Sequence, residues 1–211
     1  MVSLLSPMQL AKKSIYFEQK ILNDVVGSQD QIAATYGGFN KIVFSKSGNF
    51  KLYPISIKNS SIQLLNKNLL LIYTGFKRTA HDIASSYVNK LQKSKKKDIL
   101  EILSFVYEAE KVLKGKDLND FGKLLHESWK LKRSLSSAIT NPSINNIYMD
   151  AIKQGAIGGK LLGAGGGGFF LFYVPYLKQK KFINYFKKLI NVPFNFSSNG
   201  SQIMFKETNY L

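Results

Sequence analysis

The run Gly158-Gly159-Lys160-Leu161-Leu162-Gly163-Ala164-Gly165-Gly166-Gly167-Gly168, followed directly by Phe169-Phe170-Leu171-Phe172-Tyr173-Val174, decides the fold class. Successive glycines forfeit backbone entropy. In return they expose amide N–H groups that an anion can approach closely. A GxGxxG match lies at Gly163, Gly165 and Gly168. In a dinucleotide-binding fold such a match opens a helix and precedes an acid about 20 positions on. Here a β-rich run follows and lysines stand at the later positions, so a doubly wound parallel sheet is rejected. Leucine after Lys160 also excludes a Walker A loop. From these residues alone, an anion loop and a tight connection between two close backbones are equally good readings.

Outward from the glycines, residues 68–73 (Asn-Leu-Leu-Leu-Ile-Tyr) read as a buried strand. Residues 41–44 and 50–57 are β-rich runs split by Lys46-Ser47-Gly48-Asn49, a hairpin signal, and 169–174 is a further strand. Apolar spacing predicts helices over 7–23, 79–92, 98–114, 117–135, 142–154 and 176–190. Ser28-Gln29-Asp30-Gln31 fits a capping box that opens a short helix through Tyr36, ended by Gly37-Gly38. Residues 193–205 predict two short strands around Ser198-Asn199-Gly200. Helices mainly in the middle and strands at both ends predict an α+β fold.

The 211 residues suit one ordinary domain or a small domain with part of a second, and a 45% hydrophobic fraction is too high for a disordered chain. The absence of cysteine excludes a disulfide scaffold, a thiolate zinc site and a cysteine nucleophile. The uncharged run 161–177 holds five glycines and Pro175, whereas a membrane helix needs about 20 mostly apolar residues. No secretory leader is read at the N-terminus. A soluble, cytoplasmic protein without a membrane partner is expected. Net charge is +17, carried by 28 lysines against 2 arginines. Compositional bias with solvated helix faces ranks first as its reason, a field that gathers anionic substrates second. Nucleic-acid binding ranks last, because the charge is dispersed and poor in arginine.

Four places could carry chemistry. The glycine run is one. Glu18 shares part of the apolar face set by Ile15, Ile21 and Leu22, where a carboxylate must be paired, protonated or bound to a cation; a boundary residue reaching solvent or a lysine is the simpler reading of spacing. Asp30, second in a short helix, is kept ionised by the helix's positive end and can take or orient a hydroxyl proton, although plain dipole complementation is the preferred reading of these residues alone. Arg78 ends Thr74-Gly75-Phe76-Lys77-Arg78 just after a strand, and its planar fork suits phosphate or carboxylate, with a surface arginine capping a loop as the competing reading. Arg133 is expected on a solvated helix face.

Together, Glu18, Val26-Gly27-Ser28-Gln29-Asp30-Gln31, Ala33-Ala34-Thr35-Tyr36-Gly37-Gly38-Phe39-Asn40 and Lys160 through Gly168 resemble the GHMP small-molecule kinases. Thr74-Gly75-x-x-Arg78 and Leu124-Leu125-x-x-x-Trp129 make the wording most similar to their heptose 7-phosphate kinase branch. The resemblance implies a ferredoxin-like sheet with packed helices in a C-terminal domain over 61–211, and the remnant of an N-terminal domain over 1–60. It implies ATP and Mg²⁺ as cofactors and a sugar phosphate as partner, with nucleic acid excluded. It also implies transfer to the anomeric hydroxyl of heptose 7-phosphate, for nucleotide-heptose and surface polysaccharide. Fucose- and galactose-type kinases share the pattern. By resemblance Asp30 is catalytic, Glu18 binds the metal, and Gly163, Gly165, Gly166 and Gly167 line the phosphates. Gln29, Arg78 and Lys132 are then expected at the substrate. The family's Gly-Leu-Gly-Ser-Ser loop belongs before Glu18, yet the first glycine is Gly27. The expectation is therefore the back part of a kinase, inactive alone: a non-catalytic remnant, or a piece completed by a separately encoded N-terminal half.

Overall fold

The computed structural model describes residues 5–77, 83–86, 95–115 and 117–204. They form two compact units: one from residues up to Ile55 together with the segment from Phe196 on, the other from Ser56–Asn195.

In the first unit, helix α1 (Pro7–Tyr16) starts at Ser6, whose Oγ accepts from the Gln9 amide at 3.3 Å while Gln9 Oε1 accepts from the Ser6 amide at 2.8 Å. Pro7 at the first helical position needs no N–H partner. The helix widens into a π-turn at Phe17–Ile21, and α2 (Gln29–Tyr36) follows. Strands β1 (Asn40–Phe44) and β2 (Phe50–Pro54) pair antiparallel as the hairpin signal required. A small core of Ala11, Ile32 and Phe50, flanked by Ile15, Tyr36, Ile42 and Leu52, joins these pieces.

Two expectations fail here. The Ser28 capping box does not form, because α1 and its π-turn recruit both of its side chains: Gln19 donates to Ser28 Oγ at 3.2 Å and Gln31 donates to Glu18. Nor do residues 193–204 form strands. Instead the tail seats on the end of α2, where Ser197 O accepts from the Gly38 amide (2.9 Å) and the Ser201 amide donates to Thr35 O (3.2 Å). A Cβ on Gly200 would collide with the Thr35 carbonyl.

The second unit runs α3 (Asn59–Asn68), β3 (Leu69–Tyr73), helical residues 83–86, α4 (Lys96–Lys114), α5 (Asn119–Leu135), a 3₁₀ turn (Ser137–Ile139), α6 (Pro142–Lys153), β4 (Gly158–Leu161), β5 (Phe169–Tyr173), α7 (Tyr176–Tyr185) and β6 (Ile190–Val192). The sheet order is β4-β5-β3-β6 with every neighbouring pair antiparallel. With helices between β3 and β4 and α7 between β5 and β6, this is the split βαβ arrangement of ferredoxin-like folds, as the α+β reading anticipated. Trp129, Ile144, Tyr148, Phe170, Phe172 and Phe182 fill the core between helices and sheet. Among the described residues, no helix is long and apolar enough to cross a membrane.

Three elements differ from expectation. Helix α3 was not foreseen; Asn68 ends it, donating to Leu64 O and accepting the Tyr176 amide, both at 2.8 Å. The front of the glycine run is strand β4, not loop. Gly158 and Gly159 let it lie flush on its neighbours, since a Cβ there would meet the Gly122 carbonyl or the Phe172 ring. Helix α7 stops at Tyr185 because Ile190–Val192 are claimed by β3, with Tyr73 opposite Ile190. Of the helix expected over 79–92, all but 83–86 lies outside the described residues.

Phe172 is fully buried against Phe170, Phe182 and Tyr148. Phe172→Ala should therefore cost about 3–5 kcal/mol of unfolding free energy, read by urea denaturation. A loss of only a few tenths would contradict this core.

Candidate active site

The glycines between β4 and β5 form a hairpin loop held at several points. Its base is closed by the Leu162 amide donating to Phe169 O at 2.8 Å. Further in, the Gly166 amide donates to Ile139 O (2.8 Å) and the Gly168 amide to Phe76 O (2.9 Å). Thr74 donates both its amide (2.9 Å) and its hydroxyl (2.8 Å) to Gly168 O. Gly165, at φ +124°, packs so tightly that a Cβ would stand 2.9 Å from Ile139 Cα. A Cβ on Gly167 would stand 2.5 Å from the Phe76 carbonyl. The tight-connection reading therefore holds at Gly165 and Gly167. Some glycines permit close backbone approach, while the amides of Gly163, Ala164, Gly165 and Gly167 find no acceptor among the described residues. Free backbone amides of this kind are donors that an anion can approach closely. The loop borders a cavity of about 780 Å³ shared with Tyr73, Phe76 and Lys77. Two sequence candidates, the glycine run and the Thr74–Lys77 segment, are therefore brought together; Arg78 lies outside the described residues.

Helix α5 supplies the loop's third support. Lys132, expected at the substrate, donates its ammonium to the carbonyls of Leu161 (3.0 Å) and Gly163 (2.5 Å). Burial, and secondarily the charge of Lys160, bring its pKa down from 10.5 to about 8. Lys160 donates to Ser128 Oγ at 2.8 Å, and burial lowers its pKa as well. Arg133 departs from its expected solvated face. It is half-buried, donates to Asn145 Oδ1 at 3.2 Å, and sets its guanidinium 5.7 Å and 5.8 Å from the Trp129 and Tyr148 rings. Cation–π attraction to two core aromatics explains the departure.

In the first unit, Glu18 is half-buried on the π-turn and its Oε2 accepts from Gln31 Nε2 at 2.5 Å. Gln31 is buried, and its Oε1 has no partner. Asp30 stands exposed in the first turn of α2, beside exposed Gln29. Among the described residues no lysine or arginine pairs with Glu18 or Asp30, although cations outnumber acids 30 to 13. Two oxygens, one on Glu18 and one on Gln31, are thus left without a donor. An all-oxygen set with one or two carboxylates fits a hard cation such as Mg²⁺, which keeps waters or phosphates as its other ligands. Among the described residues, no three His, Cys, Asp or Glu side chains form a metal-binding group. Gln31 was missed as a site residue because its place three after Ser28 invited a purely local capping role.

Lys132 makes stability depend on pH. The folded protein sheds this proton near pH 8, the unfolded chain near 10.5, so between those values the unfolded state binds more protons and stability rises with pH. Lys132→Met should flatten that rise, measured by urea unfolding across the window. Identical slopes in both proteins would refute it.

Residues 107–189 match the family described as GHMP kinases C terminal. Over 185 residues the chain is 32% identical to D-glycero-alpha-D-manno-heptose 7-phosphate kinase of Campylobacter jejuni, covering 87% of this chain and 55% of that protein. It is 28% identical over 151 residues to a bifunctional fucokinase/GDP-fucose pyrophosphorylase of Arabidopsis thaliana, covering 69% of this chain and 14% of that one. A D-glycero-D-manno-heptose 1-phosphate kinase structure from Bacteroides thetaiotaomicron superposes with a TM-score of 0.71 at 22% identity, over 94% of this chain and 55% of that one. Lactococcus lactis galactokinase complexed with galactose gives 0.68 at 15% identity, over 95% and 62%. These two structures establish the fold alone. The chain spans about half the length of the curated heptose kinase it matches.

Proposed function

Since this chain carries a GHMP kinase C-terminal domain, we propose that it serves ATP-dependent phosphorylation of a sugar hydroxyl, with the anomeric hydroxyl of D-glycero-D-manno-heptose 7-phosphate as acceptor. The observation that carries this reading is the glycine loop, pinned from three sides while four of its amides stay free. Phosphoryl transfer asks a protein mainly for positioning and charge neutralisation, and fixed amides of this kind supply both to phosphate oxygens.

Asp30 takes or orients the proton of the attacking hydroxyl; its exposure and its lack of a lysine partner leave it free to do so. Glu18, oriented by Gln31, would hold magnesium, which when bound neutralises phosphate charge. Gln29 and Arg78 are assigned to the sugar and its phosphate. Lys132 is assigned there too, in addition to its hold on the loop. The net charge of +17 gathers anionic substrates of this class. The heptose acceptor is supported by the 32% identity to the Campylobacter enzyme. The fucokinase similarity favours a fucose-type acceptor as the second reading. The product would feed nucleotide-heptose for surface polysaccharide, in the cytoplasm.

A Gly-Leu-Gly-Ser-Ser motif does not occur in these 211 residues. We therefore expect the chain alone to release ADP at background, and to need a complementary polypeptide carrying that motif. Reconstituted with one, it should prefer heptose 7-phosphate over fucose and galactose in a coupled ADP assay. Asp30→Asn should then lower kcat by about 10²–10⁴. Turnover by the chain alone at roughly 1–100 s⁻¹, or full activity in Asp30→Asn, would refute this account.

A further inference from the structure

Two ammonium groups, Lys132 of α5 and Lys160 of β4, lie along one face of α5, and among the described residues no carboxylate neutralises them. Ser128 and Lys132 stand four residues apart on the helix and so face the same way. Lys160 of β4 donates to Ser128, and Lys132 donates to the carbonyl of Leu161, the residue after Lys160, and to that of Gly163. The two charges are close enough for Lys160 to make protonation of Lys132 harder. Among the described residues neither lysine has an acidic partner. An ammonium has three donors. Lys132 uses two and Lys160 one, which leaves three N–H groups without an acceptor among the described residues. Both side chains are only half-exposed, so water does not fully replace the missing anion.

We propose that Lys132 and Lys160 together form an oxyanion site that binds one phosphate monoester, a dianion matched to two cations. A loop tether alone requires one amine, and Lys132 meets that need with its two carbonyl bonds. It does not explain why a second half-buried lysine is set beside the first, where it raises the local positive charge. A bound phosphate accounts for both, because charge-assisted hydrogen bonds to its oxygens would keep each amine protonated. The phosphate would be the acceptor's own or the nucleotide's. That choice rests on the kinase reading, whereas the site itself does not.

The test uses the full 211-residue chain and inorganic phosphate, titrated calorimetrically at neutral pH and constant ionic strength. One saturable site is expected, weakened at least about tenfold by Lys132→Met and by Lys160→Met. A charge-matched double variant at exposed positions, Lys187→Met with Lys188→Met, should leave the affinity within about twofold. The buried Trp129 reports by its fluorescence whether each variant is folded. Should a variant unfold, nitrogen-15 NMR of the lysine side chains in the unaltered chain decides instead: phosphate must raise the Lys132 titration midpoint above its resting value. Absence of saturable binding, equal weakening in the Lys187/Lys188 control, or an unmoved Lys132 midpoint overturns the proposal. Competition by a hexose 6-phosphate assigns the site to the acceptor, and competition by ADP assigns it to the nucleotide. Because no turnover is needed, an inactive chain leaves this site standing. A working kinase whose phosphate affinity ignores both lysines sinks this site alone.

Discussion

The Gly166 amide donating to the carbonyl of buried Ile139, with Gly165 wedged against the same residue, is the constraint on which the site depends. A loop this rich in glycine has many unfolded conformations, and ordering each residue costs about 1–2 kcal/mol. Apart from Ala164, which packs partly buried against the core, its residues have little side chain to offset that by burial. Order is imposed from outside: by Ile139 on one side, by the Phe76 carbonyl and Thr74 hydroxyl on another, and by Lys132 at the base. Among these supports Ile139 and Thr74 are buried. Ile139 and Trp129, the latter one turn before Arg133 on α5, are fully buried. The phenylalanines of β5 continue directly from the loop into that core. A preformed set of amides follows from the packing and needs no rearrangement on binding.

Electrostatics sorts the same molecule a second way. Most of the 28 lysines form a dispersed background of positive charge. Against it, the informative groups are those with no opposite charge where one would be easy to supply. Among the described residues, Glu18 and Asp30 are carboxylates without lysines, and Lys132 and Lys160 are lysines without carboxylates. Elsewhere on the helices, ordinary i,i+3 and i,i+4 pairs form, as at Lys95–Asp98, Lys114–Glu110 and Lys123–Asp120. Exposed pairs of that kind contribute little stability. Leaving four groups out of this pattern fits an external cation in one unit and an external anion in the other.

Much of the fold was legible because local chemistry and tertiary structure agree. Gly48 at φ +80° makes the β1–β2 turn, the Leu-Leu-Leu-Ile run of β3 is buried between β5 and β6, and Gly37 and Gly38 end α2 in the left-handed region. What could not be read depends on partners distant in sequence. Gly158 and Gly159 look like loop until Gly122 and Phe172 are seen to lie against them. Ile190–Val192 continue a helical pattern and become a strand only because β3 has a free edge. Among the candidate functional residues, residue types pointed to Glu18 and Asp30 in one unit and to the glycines in the other. Long-range hydrogen bonds alone revealed Gln31 as the group that fixes Glu18, and Lys132 as a hand on the loop. Arg133 was misjudged because a basic helix face reads as solvent-facing until Trp129 and Tyr148 are placed beneath it.

The most direct measurement is a nitrogen-15 glycine-labelled spectrum of the chain, titrated with pyrophosphate as a probe of the loop. The account predicts that the free amides of Gly163, Gly165 and Gly167 shift strongly and saturate together. The amides of Gly166 and Gly168, already committed to Ile139 and Phe76, should move little. Uniform small shifts across all the glycines, or changes led by Gly166 and Gly168, would contradict it.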